Sequence, residues 1–207
     1  MKSLSYFLKN RFKRAPSPAA PISESTATAM PSYFWYGLIE GDDIEQGDIF
    51  EDCPVFLQPD EVIETDASST FTYGKLDLIV MSQSCDLVKG REKIEQVSLC
   101  VLFRKSEFKT GGKPVPASTL EQVRLGRLPR YHMIASSEIP GFACEIRIID
   151  LQQVYSLPVS FLRKRAGKGK HLRLLPPYRE HLSQSFARVF MRVGLPIDIP
   201  SFTRDKE

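Results

Sequence analysis

The sequence predicts a mainly β protein of the α+β class, with a strongly bent antiparallel sheet and a helix packed on it near the C-terminus. Roughly five to seven short apolar or alternating segments are separated by turn signals, as in small antiparallel sheets. One late segment has helical periodicity instead. At 207 residues the chain is long enough for one sizeable core.

The first part of the chain has a different composition from the rest. Residues 1–31 comprise a basic arm, with apolar residues at helical spacing between 4 and 12, and then a linker rich in Pro, Ala and Ser. We expect either a flexible, solvated arm or a segment that contacts a partner, a nucleic acid or an anionic membrane surface. Residues 32–199 are predicted to form one folded domain, and residues 200–207 a polar tail.

Charge and cysteine content narrow the class of protein. The net charge is +3, yet five of the 28 basic residues lie in the first fourteen positions, so the remainder is slightly acidic. The four cysteines form no Cys-x-x-Cys pair and do not indicate a disulfide framework at this length. No apolar run reaches the roughly 18 to 20 residues of a membrane span. We therefore expect a cytoplasmic protein.

The folded domain is predicted to open at the aromatic cluster Tyr33 to Tyr36, which either anchors the chain on the core or forms a ligand platform. Residues 46–57 then read as a strand, in which Pro54 indicates an edge position or a bulge. Residues 71–81 are predicted to form the next apolar strand, or a hairpin with a kink at Gly74. Residues 96–103 are apolar on both faces, which predicts a central strand.

The second half of the domain mixes strands and helices. Ser118 begins an S/T-x-x-E pattern, typical of a helix start, and predicts a short helix to about Arg127. Residues 130–135 are predicted to form a short strand. Residues 142–150 alternate apolar and polar side chains, which indicates a half-buried strand. A helix is predicted after Pro177, ending near Gly194.

A strongly basic segment, Arg163 to Arg173, precedes that last helix and is interpreted as a loop. Its glycines would let the backbone approach phosphates, and its charges would release counterions from a nucleic acid. A solvated surface loop is the alternative. The candidate binding residues of this segment are Arg163, Lys164, Arg165, Lys168, Lys170 and Arg173.

The most site-like stretch of the sequence is a strand that ends abruptly in small polar residues. The apolar run Leu76 to Met81 is followed by Ser82, Gln83, Ser84, Cys85 and Asp86, which we call the rim. Polar residues at the end of a strand lie in loops at the border of a sheet, where binding residues are common. The rim is therefore a second candidate binding site.

The order of these segments resembles the MazF/PemK toxin family. The resemblance rests on Gly47-Asp48-Ile49, the apolar strand that ends in Ser-Gln-Ser, and the apolar strand about fifteen residues later, and it covers roughly residues 46–103. The Ser-Gln-Ser-Cys-Asp-Leu run is itself similar to a motif of uncharacterised bacterial proteins related to that family. The resemblance implies an SH3-like barrel, often a homodimer, that cleaves single-stranded RNA without a metal ion.

The implied activity suggests candidate catalytic residues and partners. Metal-free RNA cleavage needs a base for the 2′-hydroxyl, an acid for the leaving oxygen and a cation at the phosphate. The candidates of suitable type are Asp48, Asp86, Arg104 and His132, although both aspartates could instead cap turns. Single-stranded RNA, an antitoxin or other partner protein, and a second copy of the chain are the expected partners. No cofactor and no metal ion are expected.

Other interpretations of the rim remain open. A non-catalytic interaction module would bind a partner protein or a ligand at Ser82 to Asp86. Cys85 could act as a nucleophile if a histidine approached it, or simply pack at the end of the strand. A zinc site formed by Cys53, Cys85 and a histidine would need a ligand spacing that matches no usual pair.

Overall fold

A computed structural model describes residues 34–57, 72–110 and 112–191. The predicted arm, the acidic segment between the first two long strands and the C-terminal tail lie outside these residues. The described strands are β1 (Tyr36–Glu40), β2 (Asp48–Leu57), β3 (Thr72–Val80), β4 (Gln96–Arg104), β5 (Lys109–Thr110), β6 (Lys113–Pro114), β7 (Tyr131–Ile134), β8 (Arg147–Pro158) and β9 (Lys170–Leu174). The described helices are α1 (Ala117–Arg124), α2 (Val159–Ala166), α3 (Tyr178–Phe190) and a short 3₁₀ turn, Ser84–Asp86.

Seven of these strands form one antiparallel sheet in the order β1-β9-β2-β3-β4-β8-β7, and β5 and β6 form a separate hairpin. The mainly β prediction is therefore confirmed. Among the described residues the sheet is open, with β1 and β7 at its edges, so the strand pairing does not establish a closed barrel.

The sheet carries a helix on each face. Leu78 and Val80 of β3 pack in a core that includes Leu162 of α2, whereas Ile79 packs in a second core that includes Leu182 of α3. Successive residues of a strand point to opposite faces, which is why one short strand serves both cores. We call the two sides the α2 face and the α3 face.

Several predicted elements are confirmed with small changes. The central position predicted for residues 96–103 is confirmed, because β4 lies between β3 and β8. The bulge expected near Pro54 is present between Phe50 and Cys53, where Asp52 adopts a φ of 52°. The helix predicted at Ser118 is also present, but it begins one residue earlier and no side chain caps it.

Two predictions about the second half are wrong. The alternating residues 142–150 do not form one strand: residues before Arg147 contribute only an isolated bridge between Ser137 and Cys144, and the strand continues to Pro158. The basic segment is not a loop, because α2 extends to Ala166 and β9 begins at Lys170. Most of the basic side chains of this segment therefore lie on a helix or a strand and not in a loop.

The aromatic cluster at the start of the domain anchors the chain. The Trp35 ring stacks on the Tyr178 ring of α3, with centroids 3.6 Å apart and an interplanar angle of 9°. The Tyr36 hydroxyl donates a hydrogen bond of 2.5 Å to the Ala135 carbonyl, which ties β1 to the segment after β7. Both contacts serve packing, in agreement with the anchoring interpretation.

Candidate functional site

A buried ion pair joins β2 to β9 at the centre of the candidate site. Asp48 and Arg173 are directly opposite each other in the two strands. The Arg173 guanidinium donates to both Asp48 oxygens, with an Nη2–Oδ2 distance of 2.9 Å, and the backbone amide of Glu45 donates to Oδ2 at 2.8 Å. The Asp48 side chain is fully buried. Both oxygens of the Asp48 carboxylate therefore already accept hydrogen bonds from groups within the protein.

Arg173 extends this pair into a network. It donates to Glu45 Oε1 at 2.7 Å, and Arg179 of α3 donates to the other oxygen of Glu45 at 3.2 Å. Burial lowers the pKa of Arg173, but the hydrogen bond and charge of Asp48, with Glu45 and Asp43, outweigh it and raise the pKa. The network therefore connects the sheet to α3, and it occupies two residues that the sequence suggested for catalysis and binding.

His171 lies beside this network and was not among the predicted catalytic residues. Its Nε2 is 3.3 Å from Asp48 Oδ2, and its ring stacks on Phe50 with centroids 5.1 Å apart. The side chain is 6% exposed, and neither ring nitrogen has a hydrogen-bond partner. A buried polar group without a partner is costly and uncommon, so it marks a candidate functional group.

A pocket of about 410 Å³ borders His171, and we call it the His171 pocket. Basic, acidic and apolar side chains all line it. The lining residues are Ile49, Phe50, Glu51, Asp52, Phe142, Arg165, Ala166, Lys168, Gly169, Lys170, His171 and Leu172. Lys168 and Lys170 are exposed, and Lys170 also forms a surface ion pair of 3.4 Å with Glu40. Two lysines at the margin of an aromatic-lined pocket suit an anionic ligand.

The basic segment divides into inward arginines and outward lysines. Arg163 donates to the Leu87 carbonyl at 2.6 Å and to Glu92 at 3.0 Å, and Arg165 donates to the Glu51 carbonyl. With Arg173 also buried, the arginines stabilise the protein's own structure. The remaining positive charges, Lys164, Lys168 and Lys170, are exposed.

The hydroxyls of the rim connect neighbouring elements. Ser82 Oγ accepts a hydrogen bond from the Ser98 amide at 2.9 Å, and Ser84 Oγ accepts one from the Gln46 amide at 3.2 Å. Gln83 Nε2 donates to Ser183 of α3 at 3.3 Å. These contacts hold the end of β3 against neighbouring elements, so the side chains of Ser82, Gln83 and Ser84 already have hydrogen-bond partners within the protein.

The other two rim side chains contact each other. Cys85 is exposed, and its sulfur lies 3.6 Å from Asp86 Oδ1, while Asp86 forms an ion pair of 3.3 Å with Lys93. Exposure contradicts the interpretation that Cys85 packs at the end of the strand. The contact that the structure shows for the Cys85 sulfur is with a carboxylate, whereas the nucleophile interpretation requires a histidine.

His132 and Arg104 lie at other places. His132 lines a pocket of about 390 Å³ together with His181, and burial, then the charge of His181, lowers its pKa to about 4. Arg104 lines a third pocket of about 290 Å³. Asp48 shares the α2 face with Phe50, whereas His132 shares the α3 face with Ile134. The four predicted catalytic residues are not brought together.

The structure also bears on the suggested zinc site. Cys53 is completely buried, and burial raises the pKa of its thiol to about 11, while Cys85 is exposed. Within the three described stretches of chain, no three His, Cys, Asp or Glu side chains are grouped so that they could hold a metal ion. In the same stretches, no helix is both long and apolar enough to cross a bilayer.

Comparison with protein-family models, with curated proteins and with solved structures finds no significant match to this chain. The geometry described above is therefore the basis of the functional argument. Of the binding residues predicted in the basic segment, Arg165, Lys168 and Lys170 line the His171 pocket. In the sequence, the signal for His171 is its place among closely spaced positive charges.

Proposed function

We propose that the protein binds single-stranded RNA through the His171 pocket and cleaves it without a metal ion. One observation carries the proposal: a buried imidazole without hydrogen-bond partners borders a pocket whose margin holds Lys168 and Lys170. Lysines bind phosphates as point charges, and the partly buried Phe142 ring offers an apolar surface for a base. Single-stranded RNA presents both features in one ligand.

The same pocket holds the side-chain types that transesterification requires. In the proposed reaction, the Glu51 carboxylate takes the proton of the 2′-hydroxyl, and the 2′-oxygen attacks phosphorus. The bond to the 5′-oxygen breaks, and that oxygen takes a proton from protonated His171. A 2′,3′-cyclic phosphate and a 5′-hydroxyl result. Lys168 and Lys170 stabilise the charge that develops on the phosphate.

Asp48 has a positioning role in this scheme. Its carboxylate lies 3.3 Å from His171 Nε2. Both ring nitrogens are covered by neighbouring atoms, so the ring must turn about its Cβ–Cγ bond when a phosphate enters. Hydrogen bonds from Arg173 hold the Asp48 carboxylate in place, so the carboxylate would not move when the ring turns.

The resemblance of residues 46–103 to the MazF/PemK family supports the proposal. It implies that the bent sheet is a relative of their SH3-like barrel, and it adds homodimer formation and an antitoxin-like partner protein to the proposal. The catalytic set proposed here differs from the one suggested by the sequence, because Arg104, Asp86 and His132 do not line the His171 pocket.

The test uses the full chain with fluorescently labelled single-stranded RNA in excess EDTA. We expect binding at low salt and products with cyclic phosphate ends. Replacing His171 by Gln should lower the cleavage rate at least about 100-fold, the usual contribution of a general acid. RNA affinity should change less than about threefold, and circular dichroism would establish that the variant folds. Absence of RNA binding at low salt would exclude the proposal.

A non-catalytic interaction module at the rim is the second candidate. Cys85 is exposed there, and Val88, three positions later in the sequence, is 40% exposed. The absence of Thr and Ser directly after β4, where the toxin family has polar residues, also favours a module. Binding of a partner protein that is lost in Val88→Glu, with no RNA cleavage by the unaltered chain, would support this candidate.

A further inference from the structure

A second pocket lies between the end of α1, β7 and α3, and we call it the His132 pocket. Its volume is about 390 Å³, which is in the usual range for a small-molecule site. His132 of β7 lines it together with four residues of α3. Gln184, Ser185 and Arg188 follow His181 by three, four and seven positions, so these four side chains share one face of the helix.

The described residues that line the His132 pocket supply positive charge and hydrogen-bond donors but no carboxylate. Arg124, in the last turn of α1, and Arg188 of α3 contribute two guanidinium groups. Arg188 is exposed, and its side chain forms no hydrogen bond or ion pair with any other described residue. The rings of His132 and His181 likewise have no hydrogen-bond partner in the described part of the chain. An anion in the pocket would therefore meet donors that are not already in use.

The described acidic residues of the surrounding elements are paired with arginines. One carboxylate on each of α1, α3 and β8 forms an ion pair close to its own position in the sequence. These ion pairs are Glu121–Arg124 at 2.6 Å, Glu180–Arg179 at 3.1 Å and Asp150–Arg130 at 2.6 Å. Glu121 thus partly neutralises Arg124, which leaves Arg188 as the stronger attraction for an anion.

His132 and Tyr131 add uncharged donors to this site. Burial, then the charge of His181, lowers the pKa of His132 to about 4, so its ring is neutral at neutral pH and donates from one nitrogen. Burial also raises the pKa of the Tyr131 phenol, which therefore keeps its proton. Arg188 stays charged and supplies the long-range attraction.

The same side chains favour an anion over a metal ion. A zinc site uses three or four protein ligands, and two imidazoles are too few. Within the described residues, no group of three His, Cys, Asp or Glu side chains could hold a metal ion. Arginine, by contrast, is suited to phosphate because its planar donors match two phosphate oxygens at once.

We propose that the His132 pocket binds a small phosphomonoester, with the phosphate against Arg188 and the two imidazoles. Such a phosphate carries about 1.5 to 2 negative charges at neutral pH and three acceptor oxygens, which match these donors. The organic part of the ligand lies against Leu125, which is 44% exposed, and Met133, both of which line the pocket. The inference does not depend on the proposed RNA cleavage, which uses the His171 pocket.

The test uses NMR of the full chain with isotope-labelled histidine in excess EDTA, and phenyl phosphate as the probe. The chain has three histidines, so each ring signal is assigned from one His→Gln variant. We expect saturable shifts of the His132 and His181 signals with a Kd below about 1 mM. Absence of saturable shifts at both rings up to about 10 mM probe would overturn the proposal.

The His171 signal separates this proposal from the proposed function. A probe that shifts only His171 would reject the His132 pocket as a phosphate site and leave the His171 pocket as the place where phosphate binds. Shifts of His132 and His181 in a chain that neither binds nor cuts RNA would support the present proposal alone.

Two exposed arginines provide a matched pair of variants. Arg188→Gln should weaken phenyl phosphate binding at least about tenfold, because a charge-assisted hydrogen bond is lost. Arg127→Gln is the control, since Arg127 is exposed three residues after α1 but does not line the pocket. Screening by solvent should keep the affinity of this control within about twofold. Equal weakening in both variants would contradict the proposal, because general positive charge would then explain the binding.

Inorganic phosphate tests the organic part of the proposed ligand. It should bind at least about fivefold more weakly than phenyl phosphate, because it has no apolar body to bury against Leu125 and Met133. Equal affinities of the two probes would contradict a phosphomonoester as the ligand. Circular dichroism of each variant would establish that it folds.

Discussion

Arg173 and Asp48 are 125 positions apart in the sequence, yet the guanidinium of one donates two hydrogen bonds to the carboxylate of the other inside the protein. The pair joins β2 to β9, and Glu45 extends it to Arg179 on α3. It also sets the position of the carboxylate beside His171. The stability of this part of the sheet and the proposed chemistry therefore depend on the same contact.

We expect Asp48→Asn to destabilise the fold strongly. The substitution leaves the Arg173 charge buried and without its closest anion, which typically costs about 3–5 kcal/mol. Urea unfolding would measure the change in the free energy of unfolding. The matched control is Asp42→Asn, because Asp42 pairs with Lys89 on the surface, where solvent screens the pair, and its replacement should have a much smaller effect. Equal effects of the two substitutions would contradict the prediction.

Removing the two pocket lysines should weaken RNA binding. For Lys168→Gln/Lys170→Gln, we expect about tenfold weaker affinity at low salt. The slope of log affinity against log salt should fall by about 1.4, because each phosphate contact on a single strand contributes about 0.7. Fluorescence anisotropy with labelled RNA measures both quantities. Lys164→Gln is the control, since Lys164 is exposed in the same segment but does not line the pocket.

If the control variant weakened binding as much as the double variant, the positive charge of the whole segment, rather than the pocket, would be responsible. If neither variant had an effect, RNA would have to bind elsewhere on the protein. Both variants alter exposed side chains, so we expect their free energies of unfolding to stay within about 0.5 kcal/mol of the unaltered chain.

His132 should make the protein less stable in mild acid. Burial, assisted by His181, lowers its pKa from 6.5 to about 4. Between these values the unfolded chain binds a proton that the folded chain does not. The free energy of unfolding should therefore decrease as pH falls from about 6.5 to about 4, by roughly 3 kcal/mol. His132→Gln should flatten this dependence in urea unfolding, and an unchanged slope would disprove the assignment.

Gly47 should not tolerate a side chain. Its φ is +89°, and an added Cβ would lie 3.1 Å from the Leu174 carbonyl oxygen and 3.2 Å from Leu174 Cβ. We expect Gly47→Ala to cost the roughly 1–2 kcal/mol of a left-handed conformation and a further penalty for displacing β9. Gly90 is the matched control, with a φ of +77° and no neighbour within 4 Å. Similar costs for the two alanine variants in urea unfolding would contradict this explanation.

The structure gives a physical reason for each residue of the Gly-Asp-Ile run. Gly47 allows β2 to begin close to β9, Asp48 neutralises Arg173, and Ile49 packs in the core on the α3 face. The run was noted in the sequence only because it resembles the start of a toxin barrel. Its described contacts are structural, so the run by itself is not evidence of catalysis.

The sequence by itself determined the mainly β class, the central position of β4 and the helix after Pro177. These features follow from local periodicity, because burial on one or both sides of a strand or helix leaves a repeating pattern of apolar residues. The strand predicted at residues 142–150 has the wrong bounds, because β8 begins at Arg147 and continues to Pro158. The same alternation of apolar and polar residues is also found in the loop that precedes β8. A local pattern of apolar and polar residues does not show which backbone amides and carbonyls will pair with another strand.

Only the tertiary structure decided which charges are available to a ligand. In the sequence, Arg163 to Arg173 is a run of positive charge, but the arginines are paired with carboxylates and carbonyls from distant parts of the chain, and the lysines stay exposed. Likewise, nothing near His171 in the sequence indicates that Asp48 lies beside the imidazole. For Asp48 and His171, the environment of the ionisable group is set by the pairing of β2 with β9, which are more than a hundred residues apart in the sequence.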